Sequence, residues 1–193
     1  MHEKLITYIN QYATSPLTSE DKELITAAFQ PKKLRKKQYF LQEGDVCKYV
    51  GFITKGAMRQ YSVDEKGVEH ITHLYIENWW ACDRESAVML TISKYNIDAW
   101  EDTEMLVINV ADMLNLMGKI PSFGEMTRLM DQKSFIASQR RLSSTISNSA
   151  EKRYEEFTKN HPELIQRFPQ HIIASFLGIT KETLSRIRKK TIR

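Results

Sequence analysis

Cysteine is nearly missing from this chain. Only Cys47 and Cys82 occur in 193 residues. Two isolated thiols are too few for a disulfide framework and cannot supply a four-thiolate cluster, so no iron–sulfur centre is expected and a reducing cytoplasm is the expected location. No apolar run approaches the ~20 residues that span a bilayer, which leaves no expected membrane contact. The opening segment, Met1 to Pro16, mixes charged and apolar residues and lacks the apolar core of a secretory signal. Glycine-rich phosphate loops, Gly-x-Ser-x-Gly elbows and His-Glu-x-x-His pairs are all missing, and no enzymatic activity is expected. His70 and His73 are three apart in a strand-like segment, a spacing that points side chains to opposite faces and argues against a shared metal.

What is present is a core and an uneven charge. Apolar residues make up 41% and aromatics 10%, enough to pack a folded interior. The formal net charge is +4. From Ala150 to Arg193 there are 10 Lys/Arg against 5 Asp/Glu, a balance of +5; residues 1–149 hold the other 18 and 19, a balance of −1. The excess positive charge therefore lies in the last quarter, which favours a polyanionic partner there, although a solvated basic tail has the same composition.

The pattern changes twice along the chain. Two helices are expected at 2–13, with Leu5, Ile6 and Ile9 on one face, and at 20–29 behind a Thr18 or Ser19 cap. From Lys32 to Asn109 short β-branched and aromatic runs alternate with turns at Glu43-Gly44-Asp45, Lys55-Gly56 and Asp64 to Gly67, which predicts an antiparallel barrel or sandwich. From Ala111 onward the spacing is helical. A long helix is expected from Phe123 to about Ile146, with Phe123, Met126, Met130 and Ala137 as its stripe and Leu129 and Ile136 beside it. Such a helix packs on its own domain or also on a second copy. Asn148-x-x-Glu151 reads as a capping box opening the next helix, with 147–149 as a hinge. The expected domains are 1–121, 122–147 and 148–193.

The last segment carries the most specific signal. Gln170 to Leu177 forms a short amphipathic pattern with Ile172, Ile173, Phe176 and Leu177 on one face. Gly178 supplies a sharp stop, Ile179 an inward plug and Thr180 an N-cap. The following helix, from Lys181 to about Lys190, turns Leu184 and Ile187 inward and leaves Lys181, Glu182, Ser185, Arg186, Arg188 and Lys189 outside. Two short helices joined by a glycine turn make a helix-turn-helix. The major groove of DNA admits one α-helix; an arginine can there donate twice to guanine and a carboxylate can accept from cytosine. Arg188, Lys189, Lys190 and Arg193 lie later and suit phosphates.

In this order, β-domain, long helix and C-terminal helix-turn-helix resemble the CRP/FNR family of bacterial regulators, on the strength above all of residues 178–187. The resemblance implies an α+β fold: an N-terminal antiparallel β-roll flanked by helices, a long dimerisation helix and an all-α helix-turn-helix domain. It implies a cytoplasmic homodimer that binds double-stranded DNA at a near-palindromic operator, with half-sites roughly 34 Å apart, and it admits RNA polymerase as a further partner. The base-reading positions fall on Glu182, Ser185 and Arg186, a Glu-x-x-Ser-Arg run similar to the FNR branch, while Lys181 stands where the CRP branch has arginine.

Two departures from the family pattern stand out. A proline-containing connector, Pro162 to Pro169, precedes the motif, and little sequence follows it, so a full β-wing is not expected. The sensor also lacks its usual residues. Cyclic-nucleotide binders of the family carry a Gly-Glu pair and a later arginine for ribose and phosphate; here Ala81 and Cys82 take the Gly-Glu places and Ile97 falls near the arginine's. Cyclic AMP is therefore not expected as effector, and no cofactor is assigned. Trp79, Trp80, Cys82, Arg84 and Glu85 are the candidate effector pocket, with core packing the competing role for the tryptophans. Cys82 is also a candidate redox thiol. Two other functions remain open: a cyclic-nucleotide-binding module that acts on protein partners, and a cupin-like metal enzyme, for which a His/Glu ligand set is lacking.

Overall fold

The computed structural model describes residues 1–191; Arg193, grouped above with the phosphate-facing residues, lies outside the described residues. The chain opens with two helices, α1 (His2–Tyr12) and α2 (Ser19–Ala28). Thr18 caps α2 in a reciprocal box with Asp21, satisfying orphan N–H groups at the helix start. Eight strands follow: β1 (Gln30–Leu34), β2 (Tyr39–Leu41), β3 (Tyr49–Lys55), β4 (Met58–Val63), β5 (Glu69–Tyr75), β6 (Trp80–Ala81), β7 (Asn96–Ala99) and β8 (Thr103–Asn109), with a short helix, α3 (Arg84–Met89), between β6 and β7. Six helices complete the chain: α4 (Val110–Lys119), α5 (Pro121–Ser147), α6 (Ala150–Asn160), α7 (Pro162–Arg167), α8 (Gln170–Phe176) and α9 (Lys181–Thr191).

The strands form two four-stranded sheets, β1-β8-β3-β6 and β2-β7-β4-β5, all paired antiparallel. Turn chemistry permits the hairpins. Gly56 joins β3 to β4 at φ +99, where a Cβ would stand 2.7 Å from the Asp102 carbonyl. Gly67 closes β4–β5 at φ +79, and Asp64 accepts from the Lys66 and Val68 amides to shape the loop.

Three apolar layers explain the alternation in the strands. Leu34, Leu41, Ile53, Met58, Ile97 and Met105 fill the space between the sheets. Val50, Phe52, Leu106 and Ile108, on the other face of β3 and β8, pack against Leu5, Ile9, Ile25, Leu116 and Phe123 from the helices. Phe52 and Trp80 have ring centroids 5.0 Å apart, Phe29 and Phe123 6.2 Å. Removing such a fully buried phenylalanine costs about 3–5 kcal/mol, so this layer fixes the helices to the roll. In the third layer, Tyr61, Ile71, Leu74 and Ile76 face Phe157, Leu164, Phe168, Ile172, Ile173 and Leu177.

Packing thus crosses the domain limits suggested by sequence. The boundary at 121/122 falls in the first turn of α5, whose Phe123 and Met126 belong to the core shared with the roll. The expected stripe on α5 changes character halfway: Met130 still packs inward, but Ala137 is exposed, along with every residue from Gln132 to Arg140. The apolar side chains of this second half point outward, with Phe135 65%, Leu142 57% and Ile146 78% exposed. The capping box read at Asn148 is also corrected. Ser149 is the N-cap of α6, accepting from the Lys152 amide, whereas Asn148 ends α5 and its Nδ2 turns back to Ser144 and Glu156. An N-cap must directly precede the first helical residue, and Ser149 holds that place.

Candidate nucleic-acid interface and sensor site

The C-terminal helices form a compact helix-turn-helix. Pro169 opens α8, and Gly178 at φ +65 lets the chain reverse after Leu177. Thr180 Oγ1 accepts from the Thr183 amide at 3.2 Å and so caps α9. Leu184 and Ile187 are 1% and 4% exposed and anchor α9 on α8 and α6. Ile179, half-buried, packs on the same cluster. The opposite face of α9 is free: Lys181, Glu182, Arg186, Lys189 and Lys190 are exposed, and Ser185 and Arg188 flank them half-buried. Arg186 makes only a long contact, Nη2 to Thr183 Oγ1 at 3.4 Å. Of the seven residues expected from sequence to contact DNA, Lys181, Glu182, Ser185, Arg186, Arg188 and Lys189 therefore share one accessible face of α9 with Lys190, and the seventh, Thr180, stands exposed at its N-terminus. Among the described residues no strand follows β8, so no wing flanks α8 and α9.

This helix-turn-helix is packed onto the second sheet. Strand β5 is one edge of that sheet, and Ser175 of α8 caps it by accepting from the Ile71 amide and donating to the Glu69 carbonyl. Arg167 of α7 donates to both Glu77 and Glu101, at 3.0 and 2.6 Å. Trp100 lies against Phe168, with centroids 6.0 Å apart. Sequence reasoning missed this contact. Its only signal was a basic residue two positions before Pro169, which gives no hint of the two glutamates 66 and 90 residues away.

For Glu77, burial alone would raise the carboxyl pKa, but the Arg167 guanidinium and the Gly56 amide outweigh it and hold the group below its ordinary value. A depressed carboxyl adds stability above its unfolded pKa, about 4.3, and loses it as pH falls through the folded value. We expect Arg167→Ala to cost about 1–2 kcal/mol near pH 7, given a partly exposed bidentate pair. That deficit should shrink in acid. Neutral His73, held near pKa 4 chiefly by burial, adds its own acid loss to both proteins, so the difference between their urea-unfolding curves isolates Arg167. A deficit independent of pH would refute the assignment.

The five residues named as an effector pocket are not brought together. Trp80 packs with Tyr8, Phe29 and Phe52 in the helix-covered core. Trp79 meets His161 on the opposite layer. Cys82 is pushed up to about 12 by burial first and by Cys47 second, the reverse of what a redox-reactive thiol needs. Arg84 pairs with Asp131 on α5. Only Glu85 lines a cleft, of about 230 Å³, together with Asp83, Ser86, Thr91, Ile92, Lys94 and Tyr95. The pocket failed as a sequence reading because neighbours in a strand and the turn after it alternate between layers.

The residues at the expected nucleotide motif are committed elsewhere. Ile97 is fully buried between the sheets. Asp83 caps α3 and accepts from Ser93 Oγ at 2.7 Å. Asp98 receives two bonds from Arg59, at 2.9 and 3.0 Å. His70 pairs with Asp64 on the surface while His73 stacks on Tyr75, and no group of three metal-ligating side chains occurs among the described residues. No helix among them is long and apolar enough to cross a membrane.

Residues 31–119 match the cyclic nucleotide-binding domain family. Among solved structures, FixK2 from Bradyrhizobium japonicum superposes with a TM-score of 0.71 at 16% identity, over 84% of this chain and 83% of that one. The chain has the CRP/FNR fold. CLP from Xanthomonas campestris, described as a c-di-GMP responsive global regulator, gives a TM-score of 0.71 at 13% identity over 90% and 91%. The catabolite activator protein of Thermus thermophilus gives 0.57 at 19% identity over 90% and 83%. No curated protein matches in sequence. Within the CRP/FNR fold, the chain keeps the roll, the long helix and the helix-turn-helix, while Ala81 and Ile97 are packed in the core and Asp83 and Asp98 beside them are bonded to Ser93 and Arg59.

Proposed function

We propose that this chain is a sequence-specific DNA-binding transcription regulator that works as a homodimer and answers to an effector other than cyclic AMP. The observation that carries the reading is the free face of α9, where Lys181, Glu182 and Arg186 are exposed above a buried Leu184–Ile187 anchor. Arginine and carboxylate there suit guanine and cytosine edges, and the later Lys189 and Lys190 suit phosphates. Pairing through α5 is supported by Phe135, Leu142 and Ile146, apolar side chains left in water along its second half. A symmetric pair would present two reading helices to a near-palindromic site.

A selection from random duplexes tests the reading. The full chain should enrich an inverted repeat with half-sites one helical turn apart. Enrichment of no sequence, with cyclic nucleotide binding in calorimetry, would favour instead a sensor module acting on protein partners.

A further inference from the structure

The second half of α5 carries one basic residue that faces the sheets rather than solvent. Arg141 is half-buried, on the stripe that continues from Met130 and Ala137. Its Nη1 donates to the Thr72 carbonyl at 2.5 Å, and its guanidinium lies 4.7 Å over the Phe176 ring. The register of the β4–β5 pair explains why that carbonyl is available. Tyr61 opposes Ile71 and Gln60 opposes His73, so Thr72 is left out as a bulge on the edge strand.

Arg141 is poorly compensated. Arg59, Arg84 and Arg167 each have a carboxylate, whereas no described carboxylate pairs with Arg141. Burial lowers its pKa, as for a cation that has lost water and gained no counter-ion. Such a group is costly unless an anion completes it. A second polar group beside it also lacks a partner. His73 lies near enough for Arg141 to add to the depression of its pKa, and its Nδ1 is buried with no partner. Tyr95 also lies within electrostatic reach of Arg141 and lines the 230 Å³ cleft beside α3.

We propose that Arg141 anchors a small oxyanion, the phosphate or carboxylate group of a metabolite, where α5, the β5 edge and α8 meet. The planar fork offers donors besides the one given to Thr72, and two parallel bonds to an oxyanion suit it. His73, in its Nδ1–H tautomer, supplies a further donor. Because the same guanidinium rests on Phe176 of α8, occupancy would alter a contact that seats the reading helices. That last consequence rests on the DNA-binding reading above; the anion site does not.

The test uses the full chain with inorganic phosphate and, separately, acetate, at ionic strength held constant with chloride. Binding should saturate in the millimolar range and shift the His73 imidazole resonances. Arg141→Gln should weaken it by at least about tenfold, while Arg140→Gln, its exposed neighbour, should leave it unchanged. Arg141→Lys keeps the charge without the fork; it should fold and bind at intermediate strength, which covers the case in which the glutamine variant is unstable. Saturation by only one probe names the chemical class. Absence of saturation in the wild type, or equal affinity in Arg141→Gln or Arg141→Lys, overturns the site. So does a variant that alters only self-association, since the counter-ion would then be a carboxylate of a second copy. Operator binding without anion binding would overturn this inference and leave the proposed function standing.

Discussion

Arg186→Ala should leave a protein that still binds DNA but no longer chooses among sequences. The side chain is exposed and held only by the long contact to Thr183, so its removal disturbs nothing in the α8–α9 packing. A bidentate arginine–guanine contact discriminates by about 1–3 kcal/mol, and a symmetric dimer makes it twice, giving about 2–6 kcal/mol on an operator. Affinity for random duplex should fall by much less, because most phosphate contacts remain. Lys190→Ala is the contrast: it should weaken all sequences alike and reduce the salt slope by about 1 per half-site. Competition titrations at two salt concentrations read both effects. Equal losses on operator and random DNA for Arg186→Ala would remove that residue from the reading face.

Leu142→Asp should give a folded monomer. Leu142 is 57% exposed and Phe135, seven residues earlier on the same face, 65%, so neither contributes much to the core of its own chain. Seven-residue spacing on a long helix is what a paired seam requires. A buried aspartate in that seam would face its symmetry mate, and two like charges in an apolar contact are strongly unfavourable. Thermal melting should be that of an intact monomer, sedimentation should report half the mass, and operator affinity should drop by roughly a hundredfold or more as the second half-site is lost. A variant that remains dimeric would move the interface off this face of α5.

Much of the architecture was legible in advance because it rests on local rules. The turns at Gly56 and Gly67, the Thr18 and Thr180 caps and the Leu184–Ile187 anchor depend on residues within a few positions of each other. The exposed face of α9 was legible for the same reason: in a single amphipathic helix, fixing the buried side fixes the exposed one. The sensor was not legible in that way. Trp79, Trp80, Cys82, Arg84 and Glu85 are close in sequence, yet the structure sends them to the layer under the C-terminal helices, the helix-covered core, the space between the sheets, Asp131 and the cleft, in that order. Along the sequence Arg141 shows only as a break in the apolar stripe of α5, because what makes it unusual, the lack of a carboxylate, is a property of its surroundings.

By itself, the sequence determined that this chain has a β-domain, a long helix and a terminal helix-turn-helix with a basic outer face, since periodicity, turns and caps are written in neighbouring residues. Its scarcity of cysteine made disulfides and thiolate clusters unexpected from the start. Only the tertiary structure decided how the β-roll and the helix-turn-helix are joined: Arg167 bridging Glu77 and Glu101, Ser175 closing the β5 edge, and Arg141 beside a bulged carbonyl. Those contacts link residues as far as 106 positions apart, and which distant groups meet, and which charge is left without a partner, is fixed by the packing of layers rather than by any pattern along the chain.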